Sequence, residues 1–144
     1  MSEPRTRFPR PRGLRSWLLI QYLRLPEHPG KLRIVNWIGR YLLPREGVVA
    51  KVEPGIWMHL HPADWVEFIM LRDGSYDGPS LRFIERNVRS GATVIVTGVN
   101  FGLHLAVAAR AAGEKGRVVG IEPQPRSLLR TRANLALNRE VPGM

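Results

Sequence analysis

The sequence predicts an α/β fold, and three observations carry that prediction. Residues 91–139 alternate strand and helix signals in the order β-α-β-α. The first strand of this unit ends in the run Gly98-Val99-Asn100-Phe101-Gly102, and the second ends in an acid, Glu122. Ahead of the α/β part (residues 47–144) stands a basic leader, residues 1–46, with two short amphipathic helices.

Length and composition bound the answer. A chain of 144 residues allows one domain of ordinary size, about 100–150 residues, and excludes a multidomain enzyme. With 44% hydrophobic and 24% charged residues, the composition is that of a folding chain. The absence of cysteine excludes disulfide scaffolds, thiolate zinc sites and cysteine nucleophiles. The longest apolar run near the N-terminus, Trp17-Leu18-Leu19-Ile20, falls far short of the ~20 residues of a bilayer span. With no secretory pattern evident, a cytoplasmic protein is expected.

The net charge of +10 is concentrated in the leader. Residues 1–46 hold ten Lys or Arg against Glu3, Glu27 and Glu46, a net +7, whereas residues 47–144 hold twelve against nine acids, a net +3. The prolines of Arg5-Thr6-Arg7-Phe8-Pro9-Arg10-Pro11-Arg12 disfavour a helix, so this stretch reads as a disordered arm. Leu14, Trp17, Leu18 and Tyr22 then recur at helical spacing before Pro26, as do Ile34, Trp37, Ile38, Tyr41 and Leu42 before Pro44. Two readings follow: the apolar stripes pack on the next domain, or they contact a membrane surface peripherally, where Trp, Tyr and Arg suit a headgroup region. Such stripes usually belong to a core, which favours the first reading. No RNP, zinc-finger or helix-turn-helix pattern accompanies the basic residues, so no specific nucleic-acid partner is expected.

Gly47-Val48-Val49-Ala50-Lys51-Val52 reads as a strand ended by the turn Pro54-Gly55. In Met58-His59-Leu60-His61 an extended backbone places both imidazoles on one face, but no third ligand stands nearby and no metal site is expected. Residues 64–71 form a mixed apolar element, closed by a turn over 73–79; Ser80 then caps a short helix through Val88, with Leu81, Ile84 and Val88 buried.

Thr93-Val94-Ile95-Val96-Thr97 is β-branched almost throughout, as in a parallel strand buried on both faces. An alanine-rich helix runs from Leu103 to Ala112, stopped by Gly113. The strand Arg117-Val118-Val119-Gly120-Ile121 follows, and Pro123 to Pro125 lead into a helix through about Asn138, with Leu128, Leu129, Leu135 and Leu137 among its apolar positions. Gly98 and Gly102 permit a sharp turn and close approach of a ligand, beside the free N–H groups of a helix N-terminus. Glu122, 24 residues beyond Gly98, projects from the neighbouring strand tip, where a carboxylate accepts hydrogen bonds from ribose hydroxyls. These features suit an adenosine-type ligand. A dinucleotide fingerprint from Gly98 needs glycines at 100 and 103, and those positions hold Asn100 and Leu103.

The G-x-N-x-G present resembles motif I of class I S-adenosylmethionine-dependent methyltransferases, in the form used by their FkbM family: D-x-G-A-N-x-G, a helix, a G-x-V strand and F-E-P. The matches are Gly98, Asn100 and Gly102, the run Gly116-Arg117-Val118-Val119-Gly120-Ile121-Glu122-Pro123, and Asn134-Leu135-Ala136-Leu137-Asn138. An element containing Trp65, then Gly74-x-Tyr76-Asp77, resembles the family's lead-in, so the similarity spans roughly residues 47–140. It implies a Rossmann-like core that binds S-adenosyl-L-methionine: Gly98 and Gly102 face its methionine part, Asn100 holds the loop or cofactor, and Glu122 binds the ribose. It further implies O-methyl transfer to a hydroxyl of a small-molecule or glycan acceptor. No catalytic base is identified.

Two departures from the family stand out. Val96 occupies the position of an aspartate that supports the loop and the cofactor's charged end, which predicts weak cofactor binding. The sequence also stops at Met144, so only the N-terminal β-α-β-α half of the core is expected. A truncated, weakly active or inactive enzyme, or a non-catalytic cofactor-binding remnant, is the consequence. Exposed sheet edges then invite self-association.

Overall fold

A computed structural model describes residues 14–23, 25–26, 28–42, 47–52, 54–62 and 64–139. The arginine- and proline-rich arm, residues 5–12, lies outside them, as do the side chains of Tyr41 and Leu42. The described chain is a mixed α/β structure: α1 (Leu14–Leu23), α2 (Lys31–Leu42), β1 (Val48–Val52), β2 (Ile56–Leu60), α3 (Trp65–Asp73), α4 (Gly78–Asn87), β3 (Thr93–Thr97), α5 (Leu103–Ala112), β4 (Arg117–Ile121) and α6 (Pro125–Ala136). Its strands form two two-stranded sheets, β1-β2 and β3-β4. β1 and β2 are linked by residues 53–55 alone, a connection short enough only for an antiparallel pair. Buried Val48, Ala50 and Val52 alternate with exposed Val49 and Lys51, the pattern of a strand with one covered face.

The chain divides into two compact units. The first comprises residues 1–53 and 59–76. Here α1, α2 and α3 gather Leu23, Val35 and Phe68 into a small buried cluster with Tyr22 packed on it. Helix α3 starts at Asp64, whose carboxylate accepts from the Val66 and Glu67 N–H groups, satisfying two otherwise orphaned donors. It ends at Gly74 in the left-handed conformation, φ 75°. Glu67 is fully buried, and its Oε2 accepts the His61 N–H at 2.5 Å, which offsets part of the cost of taking a carboxylate out of water.

Much of the leader's apolar stripes does not lie inward among the described residues. Leu14 is 72% exposed, Trp17 44%, Leu18 49% and Trp37 70%, while the buried residues of α1 and α2 include Leu23, Val35 and Lys31. Lys31 Nζ donates to the Leu25 carbonyl oxygen, which gives the buried ammonium a partner. Of the expected stripes, Tyr22 does pack toward α3, on the cluster that includes Phe68, so the expected packing against the following part is met by Tyr22 and not by Leu14, Trp17, Leu18 and Trp37.

The second unit comprises residues 54–58 and 77–144. Strands β3 and β4 run parallel with Val94 opposite Val118 and Val96 opposite Gly120, and α5 supplies the crossover that a parallel pair requires. α5 packs on this pair and on α4, burying Leu103, Leu105, Val107 and four alanines. Its small side chains let α4 approach closely, and Arg110 ties the two helices by donating to Glu85 Oε1 at 2.5 Å. Gly120 sits on the α5 side, where a Cβ would come 2.8 Å from Leu105 and 3.1 Å from Val99.

Two expectations for this unit change. Only one face of the β3-β4 pair is covered: Ile95 on the other face is 64% exposed, Val119 38% and Ile121 51%, so β3 is not buried on both faces among the described residues. Helix α4 begins earlier than expected, with Asp77 as its N-cap; Ser80 lies inside the helix and its hydroxyl donates to Asp77 Oδ1 at 2.8 Å.

Candidate cofactor-binding loop

The β3–α5 connection is built from three residues in the left-handed region: Gly98 (φ 67°), Asn100 (φ 50°) and Gly102 (φ 96°). Asn is the side chain that tolerates this conformation best after glycine, which accounts for the G-x-N-x-G pattern without invoking a ligand. Around Gly98 there is open space, with no atom within 4 Å of where a Cβ would stand. Gly102 is different: it is buried, and a Cβ there would lie 3.0 Å from Thr131 Cγ2 and 3.3 Å from Thr131 Cα. Gly102 is thus required by helix packing, whereas Gly98 leaves room beside the backbone.

Glu122 reaches this loop from the tip of β4. Its Oε2 accepts the Asn100 N–H at 2.9 Å and its Oε1 accepts the Gln124 N–H at 2.9 Å. A carboxylate offers about two lone pairs on each oxygen, so each oxygen keeps capacity for another donor, and the side chain is only half-buried. The structure therefore brings together Gly98, Asn100 and Glu122, with Gly102 at the start of α5. Within α5 the first intrahelical bond from this end runs from Ala106 N–H to Gly102 O, so the amides of Leu103, His104 and Leu105 are the donors that a helix start leaves without an internal partner.

The other half of the loop's support comes from α6. Thr131 Oγ1 donates to the Asn100 carbonyl at 2.6 Å, Asn134 Nδ2 donates to the Phe101 carbonyl at 2.8 Å, and the Arg130 guanidinium lies 5.9 Å from the centroid of the Phe101 ring. Asn138 anchors the end of α6 through a reciprocal pair with Trp57: the Trp57 N–H donates to Oδ1 and Nδ2 donates to the Trp57 carbonyl, both at 2.8 Å. Asn100 is thus gripped at its N–H by Glu122 and at its carbonyl by Thr131. Sequence reasoning assigned neither Thr131 nor Asn134 a role in the loop. The signal lay in the spacing of Ser127, Thr131, Asn134 and Asn138, which falls on one helix face; these residues are buried, while Leu129 is 64% exposed and Leu137 41%.

His104, on the first turn of α5, pairs through Nε2 with Asp77 Oδ2 at 3.1 Å. His59 and His61 have ring centroids 4.9 Å apart, and among the described residues no group of three or more His, Asp or Glu side chains is placed to hold a metal ion. No helix among them is long and apolar enough to cross a membrane. Comparisons of the chain with protein-family models, curated proteins and solved structures found no match.

Proposed function

We propose that residues 91–139 are the cofactor-binding half of a Rossmann-like, class I methyltransferase core of the FkbM kind, and that its ligand is S-adenosyl-L-methionine. The observation that carries the reading is the junction of Glu122 with the loop: the acid at the second strand tip contacts Asn100 at 2.9 Å while each of its oxygens retains accepting capacity. The residues suit the group in three respects. There is open space beside Gly98, the α5 N-terminus offers free donors, and Glu122 can accept from ribose hydroxyls. In a complete sheet of this class further elements cover both faces, and the exposed Ile95, Val119 and Ile121 are the positions they would cover.

Bound S-adenosylmethionine supplies an electrophilic methyl group to an acceptor hydroxyl, on a small molecule or a glycan. The chain's part is to orient: Glu122 and Thr131 fix the Asn100 peptide, and the left-handed turns keep side chains away from the ligand's path. Val96, opposite Gly120 on the α5 side of the sheet, offers no acceptor where the family carries an aspartate. Loss of a charged hydrogen-bond partner costs about 1.5–3 kcal/mol, or roughly ten- to a hundredfold in affinity.

Calorimetric titration with S-adenosylmethionine tests the reading. Weak saturable binding is expected, strengthened in Val96→Asp with thermal stability measured alongside. No saturable heat in either protein sinks the reading, and low-micromolar affinity unchanged by Val96→Asp sinks the role of Val96. Incubation with labelled cofactor and candidate acceptors then separates a transferase from a binding remnant, which binds without turnover.

A further inference from the structure

Leu14, Trp17 and Leu18 of α1 and Ile34 and Trp37 of α2 are exposed, and the methyltransferase reading does not use them. On α1, Leu14, Trp17 and Leu18 fall at i, i+3 and i+4 and share one face; all three are exposed, while Leu23 on the opposite side of the helix is 2% exposed. On α2, Ile34 and Trp37 share a face and are 38% and 70% exposed, whereas Val35 and Lys31 point elsewhere and are buried. Exposed apolar groups in a row on each of two successive helices that are in contact differ from the scattered exposed leucines of an ordinary surface.

Charge selects the occupant. The leader holds ten Lys or Arg against three Glu, and Arg33 on α2 is itself exposed. A stripe of Leu, Ile and Trp in a strongly basic segment matches a surface that is apolar a few ångströms down and anionic at its face. A nucleic acid would satisfy the arginines and leave the leucines in water. A second copy of this chain would satisfy the apolar stripe but bring two +7 segments together.

We propose that α1 and α2 form a peripheral docking face for an anionic lipid surface, with Leu14, Trp17, Leu18, Ile34 and Trp37 entering the headgroup boundary and Arg33 and the leader's other arginines held by lipid phosphates and carboxylates. The face lies in the first compact unit and does not depend on the cofactor reading.

The test is co-sedimentation of the full chain with phosphatidylcholine vesicles containing about 30% phosphatidylserine, beside phosphatidylcholine alone. Binding is expected to the anionic vesicles, with a blue shift of tryptophan emission, and to fall steeply from about 0.1 M to about 0.5 M NaCl. The double variant Leu14→Ser/Trp37→Ser, shown by circular dichroism to melt as the parent does, should bind about tenfold more weakly. Arg33→Glu should weaken binding by roughly fivefold or more; if the double variant misfolds, Arg33→Glu decides alone. Equal binding to neutral vesicles, indifference to Arg33→Glu, or no binding to anionic vesicles at low salt overturns the proposal. So does retention on RNA that displaces the vesicles and is untouched by Leu14→Ser/Trp37→Ser, or self-association abolished by that variant without lipid binding.

Discussion

Helices α6 and α1 depart from ordinary amphipathicity in opposite senses, and the contrast separates two causes. Helix α6 turns its polar residues inward: Ser127, Thr131 and Asn134 are buried while Leu129 is 64% exposed. Helix α1 turns apolar residues outward, Leu14 at 72% exposure. In α6 each inward polar group has a named partner, the carbonyls of Asn100 and Phe101 for Thr131 and Asn134 and Gln124 Oε1 for Ser127. That inversion is an internal solution, in which a helix supplies donors to the Asn100 and Phe101 carbonyls of the loop. Leu14, Trp17 and Leu18 of α1 instead turn their side chains to solvent, at 72%, 44% and 49% exposure, and an inversion of that sense points outside the molecule.

The largest effect that would break this contrast is expected at Asn138. Asn138→Ala removes both part-buried bonds to the Trp57 backbone and the buried bond to the Asn134 carbonyl; a buried group that loses its bond costs about 1–3 kcal/mol. A loss of at least about 2 kcal/mol by urea denaturation is expected. Asn134→Ala, which removes the donor to the Phe101 carbonyl, should cost somewhat less. Leu14→Ser should stay within about 0.5 kcal/mol, as exposed substitutions do. If the exposed leucine proves as costly as the buried asparagines, the two helices do not differ in the way argued.

The two loop glycines sharpen the same comparison at smaller scale. Gly102→Ala meets Thr131 at 3.0 Å as well as an unfavourable φ of 96°, so overpacking adds to strain and about 1–3 kcal/mol should be lost. Gly98→Ala meets open space and should cost only the conformational strain, about 1–2 kcal/mol. On the proposed function the effects on ligand reverse: a methyl at Gly98 intrudes on the cofactor's space and should weaken S-adenosylmethionine binding about tenfold or more beyond its effect on folding. Titration and melting of both variants check this; equal affinity in Gly98→Ala and the parent argues that the ligand lies elsewhere.

What could be read in the sequence follows from how local each signal is. The order β3-α5-β4-α6 and the loop at Gly98–Gly102 were legible because strand branching, alanine content and glycine placement act within a few residues. The junction of Glu122 with the loop was legible too, since parallel strands put both tips at one end. Which face of α6 lies inside was not, because Leu128, Leu129, Leu135 and Leu137 compete with Ser127, Thr131, Asn134 and Asn138, and only the presence of unpaired loop carbonyls decides between them. The two leader helices were legible, but the exposure of Leu14, Trp17, Leu18 and Trp37 was not, because periodicity locates a stripe but says nothing of whether a surface exists to cover it. Val96 and Ile95 show the same limit, since a β-branched strand looks alike with one covered face or two.

The smallest predicted effect concerns the attachment of α4 to α5 at Asp77. Its carboxyl titrates below its ordinary value of 3.8, chiefly because the Ser80 hydroxyl donates to it; slight burial opposes this, and the His104 imidazole adds a hydrogen bond and charge. A depressed folded-state pKa means that the stabilisation is complete above the unfolded value and disappears as the pH falls through the lower folded value. Asp77→Asn isolates the charge, because asparagine also accepts the left-handed backbone that Asp77 adopts at φ 55°. The variant should therefore melt slightly below the parent at pH 5 to about 7, with the difference closing as acid protonates Asp77. Because the pair is more than a third exposed, solvent screens it and the gap should be small. A gap that widens in acid instead would mean that the protonated form of Asp77 is the one the fold prefers, and that the Asp77–His104 pair does not help to attach α4 to α5.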